Sequence, residues 1–318
     1  MDLSQVTLTQ MRYAVAVADA GSFRLAAERS HVSQPGLSMQ IQKLEGLLGA
    51  VLFDRSKKPV LVTLEGEAAI SQMRAVLRET ERLGQVVVAH GEPSGPYRLG
   101  VIPTLSPSVV PLFLPTFIAR FPRVELTIEE LETEVMIDRL RADTLDGGLA
   151  ATPLDAPGLS EAALGRERLY AYLPPADPLL RKRKVTQADL EGRPLWIMPE
   201  GHCFRSQVLS YCAAGAEAAR PPVHFESGSF ETLIRLVDGG LGGTLLPALV
   251  VQRLDPAVRE AQVRSLVAPI PVREIGFVTA RDDLRRSVNE PLVALIRERL
   301  AEALGRSPRR ALVLDPRA

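Results

Sequence analysis

The chain has 318 residues, 46% hydrophobic and 24% charged, with 38 Lys and Arg against 38 Asp and Glu and only two cysteines. That is long enough for two domains or more, and the composition excludes a disordered tract, a collagen and a disulfide scaffold. The opening segment has Asp2 and no cationic stretch, so it does not read as a signal peptide, and the richest apolar run, Leu241 to Val251, is broken by Gly242, Gly243 and Pro247. A cytoplasmic protein with no membrane partner is expected. The zero net charge gives no bulk hint of nucleic acid, and residues 1–62 hold seven cations against five acids, so such a function must rest on pattern.

In chain order, the first element is a helix on which Leu8, Met11 and Val15 share a face at spacings of three and four. Gly21-Ser22 stops it and caps a second helix, Phe23 to Arg29. The corner His31-Val32-Ser33 leads into a third helix opened by Gln34-Pro35. Two helices joined by so short a turn suggest helix-turn-helix. In the third helix Leu37, Ile41, Leu44 and Leu48 make the apolar stripe, while Gln34, Ser38 and Gln42 face away. Gln and Ser both donate and accept, which suits base edges and phosphates. Two short strands, 51–53 and 60–62, flank the basic tip Arg55-Ser56-Lys57-Lys58-Pro59 and complete a winged helix-turn-helix over 1–62.

From Thr63 to about His90, Ala69, Met73, Val76, Thr80, Leu83 and Val87 alternate spacings of four and three. A helix of about 27 residues would be roughly 40 Å long, more than a lone rod sustains, so residues 63–93 read as a linker through which two copies pair. Beyond Gly91-Glu92-Pro93-Ser94-Gly95-Pro96, strands at 97–102 and 124–128 alternate with helices at 108–120 and 132–142. That order predicts an α/β domain over 94–305 with a ligand cleft at strand ends, Pro103-Thr104-Leu105-Ser106-Pro107 forming one wall. Residues 306–318 read as a loose tail.

The run SFRLAAERSHVSQPGLSMQIQKLEGLLGAVLFDRSKKPVLVTLEGE, with Ala26-Ala27, Ser33-Gln34-Pro35, Leu37-Ser38, Lys43-Leu44-Glu45 and Leu52-Phe53-Asp54-Arg55, resembles the DNA-binding module of LysR-type transcriptional regulators. The resemblance implies an N-terminal all-α winged helix-turn-helix, a long linker helix and a C-terminal periplasmic-binding-protein-like effector domain of two α/β subdomains. It also implies promoter DNA as partner, a homo-oligomer that dimerises through the linker helix and reaches a tetramer, and RNA polymerase downstream. On that reading Ser33, Gln34, Pro35, Ser38 and Gln42 enter the major groove. Arg24 approaches phosphates, and Arg55, Lys57 and Lys58 reach the backbone or minor groove from the wing. Met39 departs from the small or basic residue usual after Leu-Ser and would alter base preference.

Within that family the run Glu200-Gly201-His202-Cys203-Phe204-Arg205-Ser206-Gln207, then Cys212, His224-Phe225 and Ser229-Phe230-Glu231-Thr232-Leu233, resembles the OxyR-type hydrogen peroxide sensors. The resemblance implies that Cys203 is the peroxidatic residue and Cys212 the resolving one, with Thr104, Thr133, His202, Arg205 and His224 forming the peroxide pocket. Ser206 departs from the acidic residue of the pattern, which bears on the speed of sensing.

Independent chemistry agrees: a thiol attacks peroxide as thiolate, and His202, Arg205 and a helix N-terminus around Cys203 favour the anion. Cys212 is the only other thiol for a sulfenic acid to meet. Were 203–212 wholly helical, their Cα atoms would lie about 13 Å apart, against the 4.4–6.8 Å of a disulfide, so bonding requires local refolding, a physical switch. Two thiols nine apart, with His202 and His224 as the nearby imidazoles, form no familiar zinc spacing, and no metal or cofactor is expected. Competing readings are inert core cysteines, a regulator responding to a small organic metabolite in the cleft, and a thiol peroxidase or Cys-His hydrolase using Cys203. The DNA-binding module argues against an enzyme.

Overall fold

The computed structural model describes residues 3–88 (81–88 by backbone alone), 92–212, 229–280, 285–308 and 310–317. Contacts divide the chain into two compact units, residues 1–91 and 92–318.

In the first unit α1 (Leu8–Ala20), α2 (Phe23–Arg29) and α3 (Gln34–Leu48) precede a two-stranded wing, β1 (Phe53–Asp54) and β2 (Leu61–Val62), and α4 (Leu64–Val88). The caps follow the sequence: Thr7 and Gln10 form a capping box on α1, Ser22 and Ser33 accept from Leu25 and Gly36, and Gly21 and Gly49 close α1 and α3 in the left-handed region. The wing pairs antiparallel, Phe53 opposite Val62 and Asp54 opposite Leu61. The core gathers Ala14, Val17, Ala26, Leu37, Ile41, Leu44, Leu52 and Phe53.

The face of α1 differs from the expected one. Gln10, Ala14 and Val17 are buried while Leu8 is 39% exposed and Met11 and Val15 pack at the edge. Gln10 can turn inward because its amide accepts from Thr7 N–H and donates to Gln40, so its polar atoms stay satisfied. On α4, Ile70 and Met73 pack into this same core, so the first turns of the predicted seam serve the head itself. Gly66 sits where a Cβ would stand 2.4 Å from the Leu52 carbonyl oxygen, which lets α4 cross the wing closely. The predicted end of the helix at His90 lies outside the described residues.

The second unit opens with β3 (Gly95–Val101), α5 (Ser106–Arg120), β4 (Val124–Glu130), α6 (Thr133–Arg141), β5 (Gly147–Thr152), the long β6 (Leu159–Tyr172) and β7 (Lys184–Val185). It continues through α7 (Cys203–Cys212), α8 (Phe230–Asp238), β8 (Thr244–Pro247), α9 (Ala248–Val251), α10 (Pro256–Gln262), β9 (Val263–Leu266), β10 (Ile270–Ala280), α11 (Arg286–Leu304) and β11 (Ala311–Val313). Strands run in the order β4-β3-β5-β10-β6-β9-β7. The N-terminal part of β6 pairs antiparallel with β10, and its last residues, Leu169–Tyr172, pair with β8 and β9. Thus β6 belongs to both halves of a periplasmic-binding-protein-like fold.

Each half has its own core. One is built on Tyr97, Phe113, Phe117, Leu149 and Phe277, the other on Tyr172, Trp196, Phe204, Val237 and Leu245. The tail is not loose: β11 adds to β10 in parallel, Ala311 opposite Ile270, because Leu312–Leu314 supply an apolar run. Leu314 is buried and its carbonyl accepts from Gln207 on α7.

Candidate functional site

Cys203 is the first residue of α7 and 7% exposed. Burial pushes its thiol above the usual range, and the positive charge of Arg273, the Thr133 hydroxyl and the backbone at Ala151 and Phe204 pull it back toward the anion. Arg273 is fully buried on β10. Its Nε donates to Glu167 Oε2 at 2.7 Å and its Nη2 to the Thr104 carbonyl at 3.3 Å, and its guanidinium lies 5.6 Å from the Phe204 ring centroid. Nη1 is buried without a partner. Glu167, also fully buried on β6, accepts through Oε1 from Leu249 N–H at 2.6 Å. The guanidinium is thus held by two acceptors with one nitrogen left over, and it is a positive charge acting on the thiol.

Thr133 opens α6 and is 6% exposed; Thr104, in the loop after β3, is 2% exposed, and the buried hydroxyls of both have no hydrogen-bond partner. Of the predicted pocket, the structure brings Thr133 near Cys203 and ties Thr104 to Arg273 through its carbonyl. Arg205 is turned elsewhere, donating to the Met198 carbonyl at 3.3 Å. His202 precedes α7, half-buried, and its carbonyl accepts from Arg205 N–H. His224 lies outside the described residues. Arg273 and Glu167 escaped the sequence reading. A charge inside the apolar strand IPVREIGFVTA was a signal for Arg273, but nothing local pairs it with a residue 106 positions away.

Cys212 is the last residue of α7, 1% exposed, its thiol pushed up to about 12 by burial and then by the charge of Glu191. Both thiols are free. They point into different cores, Cys203 among the residues of the first half and Cys212 among those of the second. Among the described residues no cluster of His, Cys, Asp and Glu could hold a metal ion, and no helix is long and apolar enough to cross a membrane.

In the head, α3 exposes Gln34, Pro35, Met39 and Gln42 at its open face with Ser38 half-buried between them, and Ser33 caps its start. Lys57 and Lys58 project from the wing tip. Arg55 does not: it donates to Glu45 at 2.8 Å and to Ser38 at 3.3 Å and stacks 4.8 Å from the Phe23 ring centroid, tying wing to helix. Arg24 is exposed and pairs with Glu28.

Residues 8–67 match the family described as the lysR family of bacterial regulatory helix-turn-helix proteins, and residues 90–301 match the LysR substrate binding domain. The chain belongs to the LysR family. One protein to which the chain is similar is the DNA-binding transcriptional dual regulator OxyR of Escherichia coli K12, 36% identical over 299 residues, covering 93% of this chain and 96% of that protein. The hydrogen peroxide-inducible genes activator of Haemophilus influenzae is 32% identical over 275 residues, 86% of this chain and 90% of that one. Full-length OxyR of Pseudomonas aeruginosa, carrying a cysteine-to-aspartate substitution, superposes with a TM-score of 0.75 at 32% identity, covering 96% of this chain and 99% of that one. A cysteine-to-serine mutant of Corynebacterium glutamicum OxyR with hydrogen peroxide bound gives 0.63 at 26% identity, covering 98% and 100%.

Proposed function

We propose that this LysR-family protein is a DNA-binding transcriptional regulator of oxidative-stress genes that senses hydrogen peroxide through Cys203. The observation that carries the reading is a buried thiol at a helix start, beside the captive cation Arg273 and the Thr133 hydroxyl, with the partner thiol on the same helix. Cys203 as thiolate attacks one peroxide oxygen. The S–O bond forms, the O–O bond breaks, and the departing hydroxide takes a proton to become water. Sulfur loses the two electrons that peroxide gains. The Cys212 thiolate then attacks the sulfenic sulfur, the S–S bond forms and a second hydroxide leaves.

Nine steps of helix separate the two Cα atoms by about 13 Å, so α7 must unwind before the sulfurs meet. Oxidation selects the rearranged segment, changes how effector domains associate and re-spaces the DNA-binding heads of the oligomer. Promoter DNA is the partner of α3 and the wing, and RNA polymerase responds to the change. The test is footprinting on upstream DNA with reduced, oxidised and Cys203→Ser protein. Footprints that change on oxidation only when Cys203 is present are expected; identical footprints for all three refute the switch.

A further inference from the structure

The tail that the sequence presents as a loose end is tied down at both ends and in its middle over residues 311–317. β11 adds to β10 with Ala311, Leu312 and Val313 opposite Ile270, Pro271 and Val272, and the Leu314 N–H donates to the Val272 carbonyl, beside Arg273 in sequence. Leu314 is 4% exposed and belongs to the same core as Phe204, Val208 and Cys212 of α7. Beyond it, Arg317 donates to the Leu154 carbonyl at 2.8 Å and pairs with Glu134 of α6 at 3.2 Å. Leu154 lies in the core that also buries Cys203, so the tail runs from β10 past α7 to the other half.

One hydrogen bond joins this tail to the middle of α7. Gln207, four residues after Cys203 and five before Cys212, is fully buried and donates through Nε2 to the Leu314 carbonyl at 3.1 Å. Its Oε1 is buried with no partner, so the bond to Leu314 is what anchors the amide. A helical α7 keeps these contacts. A bond between Cys203 and Cys212 requires α7 to unwind, which takes Gln207 and its neighbours Phe204 and Val208 off Leu314 and leaves two buried polar groups to find new partners. The pairing of β11 with β10 involves no residue of α7 and need not change. The tail therefore stabilises the helical state of α7 more than the unwound one, and such a difference is what biases a two-state equilibrium.

We propose that residues 311–317 are a strap that holds α7 helical and so slows disulfide formation, without acting on the attack of Cys203 on peroxide. The inference rests on the reading of Cys203 as the peroxide-reactive thiol and Cys212 as its partner. In the step that the strap controls, the Cys212 thiolate attacks the sulfenic sulfur of Cys203. The S–S bond forms, the S–O bond breaks, and the departing hydroxide takes a proton to become water. Cys212 sulfur gives up one electron equivalent and the sulfenic sulfur gains one, so no oxidant beyond the peroxide already consumed is needed.

The experiment treats reduced wild type, a chain ending at residue 310 and full-length Gln207→Leu with stoichiometric hydrogen peroxide. Thiol, dimedone-trapped sulfenic acid and disulfide are counted against time by intact-mass spectrometry. Loss of the Cys203 thiol should keep its rate within about twofold in both variants, while sulfenic acid should pass to disulfide about tenfold faster in the shortened chain and about threefold faster in Gln207→Leu, the order that one buried hydrogen bond and part of an apolar contact supply. The unchanged first step also shows that the variants are folded. Should the shortened chain lose that step, Gln207→Leu, which keeps the tail, decides alone; if it loses the step too, the strap is overturned, because the bond then serves the peroxide site. A shortened chain that reacts with peroxide normally and forms the disulfide at the wild-type rate overturns the strap and leaves the sensing reading standing. A wild type that loses no thiol or forms no disulfide overturns both.

Discussion

Cys203 and Cys212 stand at the two ends of α7, and each is buried in the core of a different half of the effector domain. Joining them therefore costs more than a turn of helix, since at least one sulfur must be drawn out of the core that holds it. We expect amide hydrogens over 203–212 to lose at least 100-fold of their exchange protection in the disulfide form. Hydrogen exchange with mass spectrometry checks this; an oxidised α7 as protected as the reduced one contradicts a disulfide between these residues.

Glu167 and Arg273 are both fully buried, and each would be an isolated charge without the other. Arg273→Met should destabilise the protein by about 3–5 kcal/mol, the usual result of orphaning one partner of a buried pair. Adding Glu167→Gln to that variant should restore part of the loss. Urea unfolding of the two variants measures both, and a single variant as stable as wild type would mean that water reaches the site.

Cys212 carries a thiol pushed up to about 12, burial being the first cause. The fold thus keeps the proton that the unfolded chain surrenders earlier, so the stability tied to it is complete below the ordinary thiol range and is lost as pH climbs toward the folded value. Wild type should lose stability between about pH 9 and 12. Cys212→Ala should lose less over that window; because Cys212 is itself one cause of the rise of Tyr211 to about 12, the difference between the two unfolding curves reports the two groups together.

Gly66 has no room for a side chain: the nearest atom to an added Cβ is backbone, the Leu52 carbonyl oxygen at 2.4 Å, and backbone cannot swing aside. Gly66→Ala should cost about 1–3 kcal/mol by forcing α4 off the wing. A fall in melting temperature together with weakened DNA binding is the expected pair of results.

Lys57 and Lys58 are exposed at the wing tip, while Arg55 is clamped to Glu45 and Ser38. Replacing either lysine by Ala should weaken DNA binding about equally on all sequences and reduce the salt slope by about 1. Gln42→Ala should instead relax preference at one base position. Arg55→Ala should lower head stability as well as affinity, because its stacking on Phe23 is lost too.

The sequence by itself determined the head and the order of elements. Caps at Ser22 and Ser33, the Leu37-Ile41-Leu44 stripe and the strand and helix alternation after residue 95 are local signals, written within a few residues of the structure they specify. The tertiary structure alone decided what surrounds Cys203. Arg205, its sequence neighbour, turns to Met198, while Arg273 arrives from β10 and is fixed by Glu167 from β6. It likewise decided that the tail becomes β11 and that Gln10 rather than Leu8 faces inward. The physical reason is common to all of these. Burial, pairing of charges and strand addition depend on groups brought together from distant parts of the chain, and no periodicity along the chain records which distant group will be there.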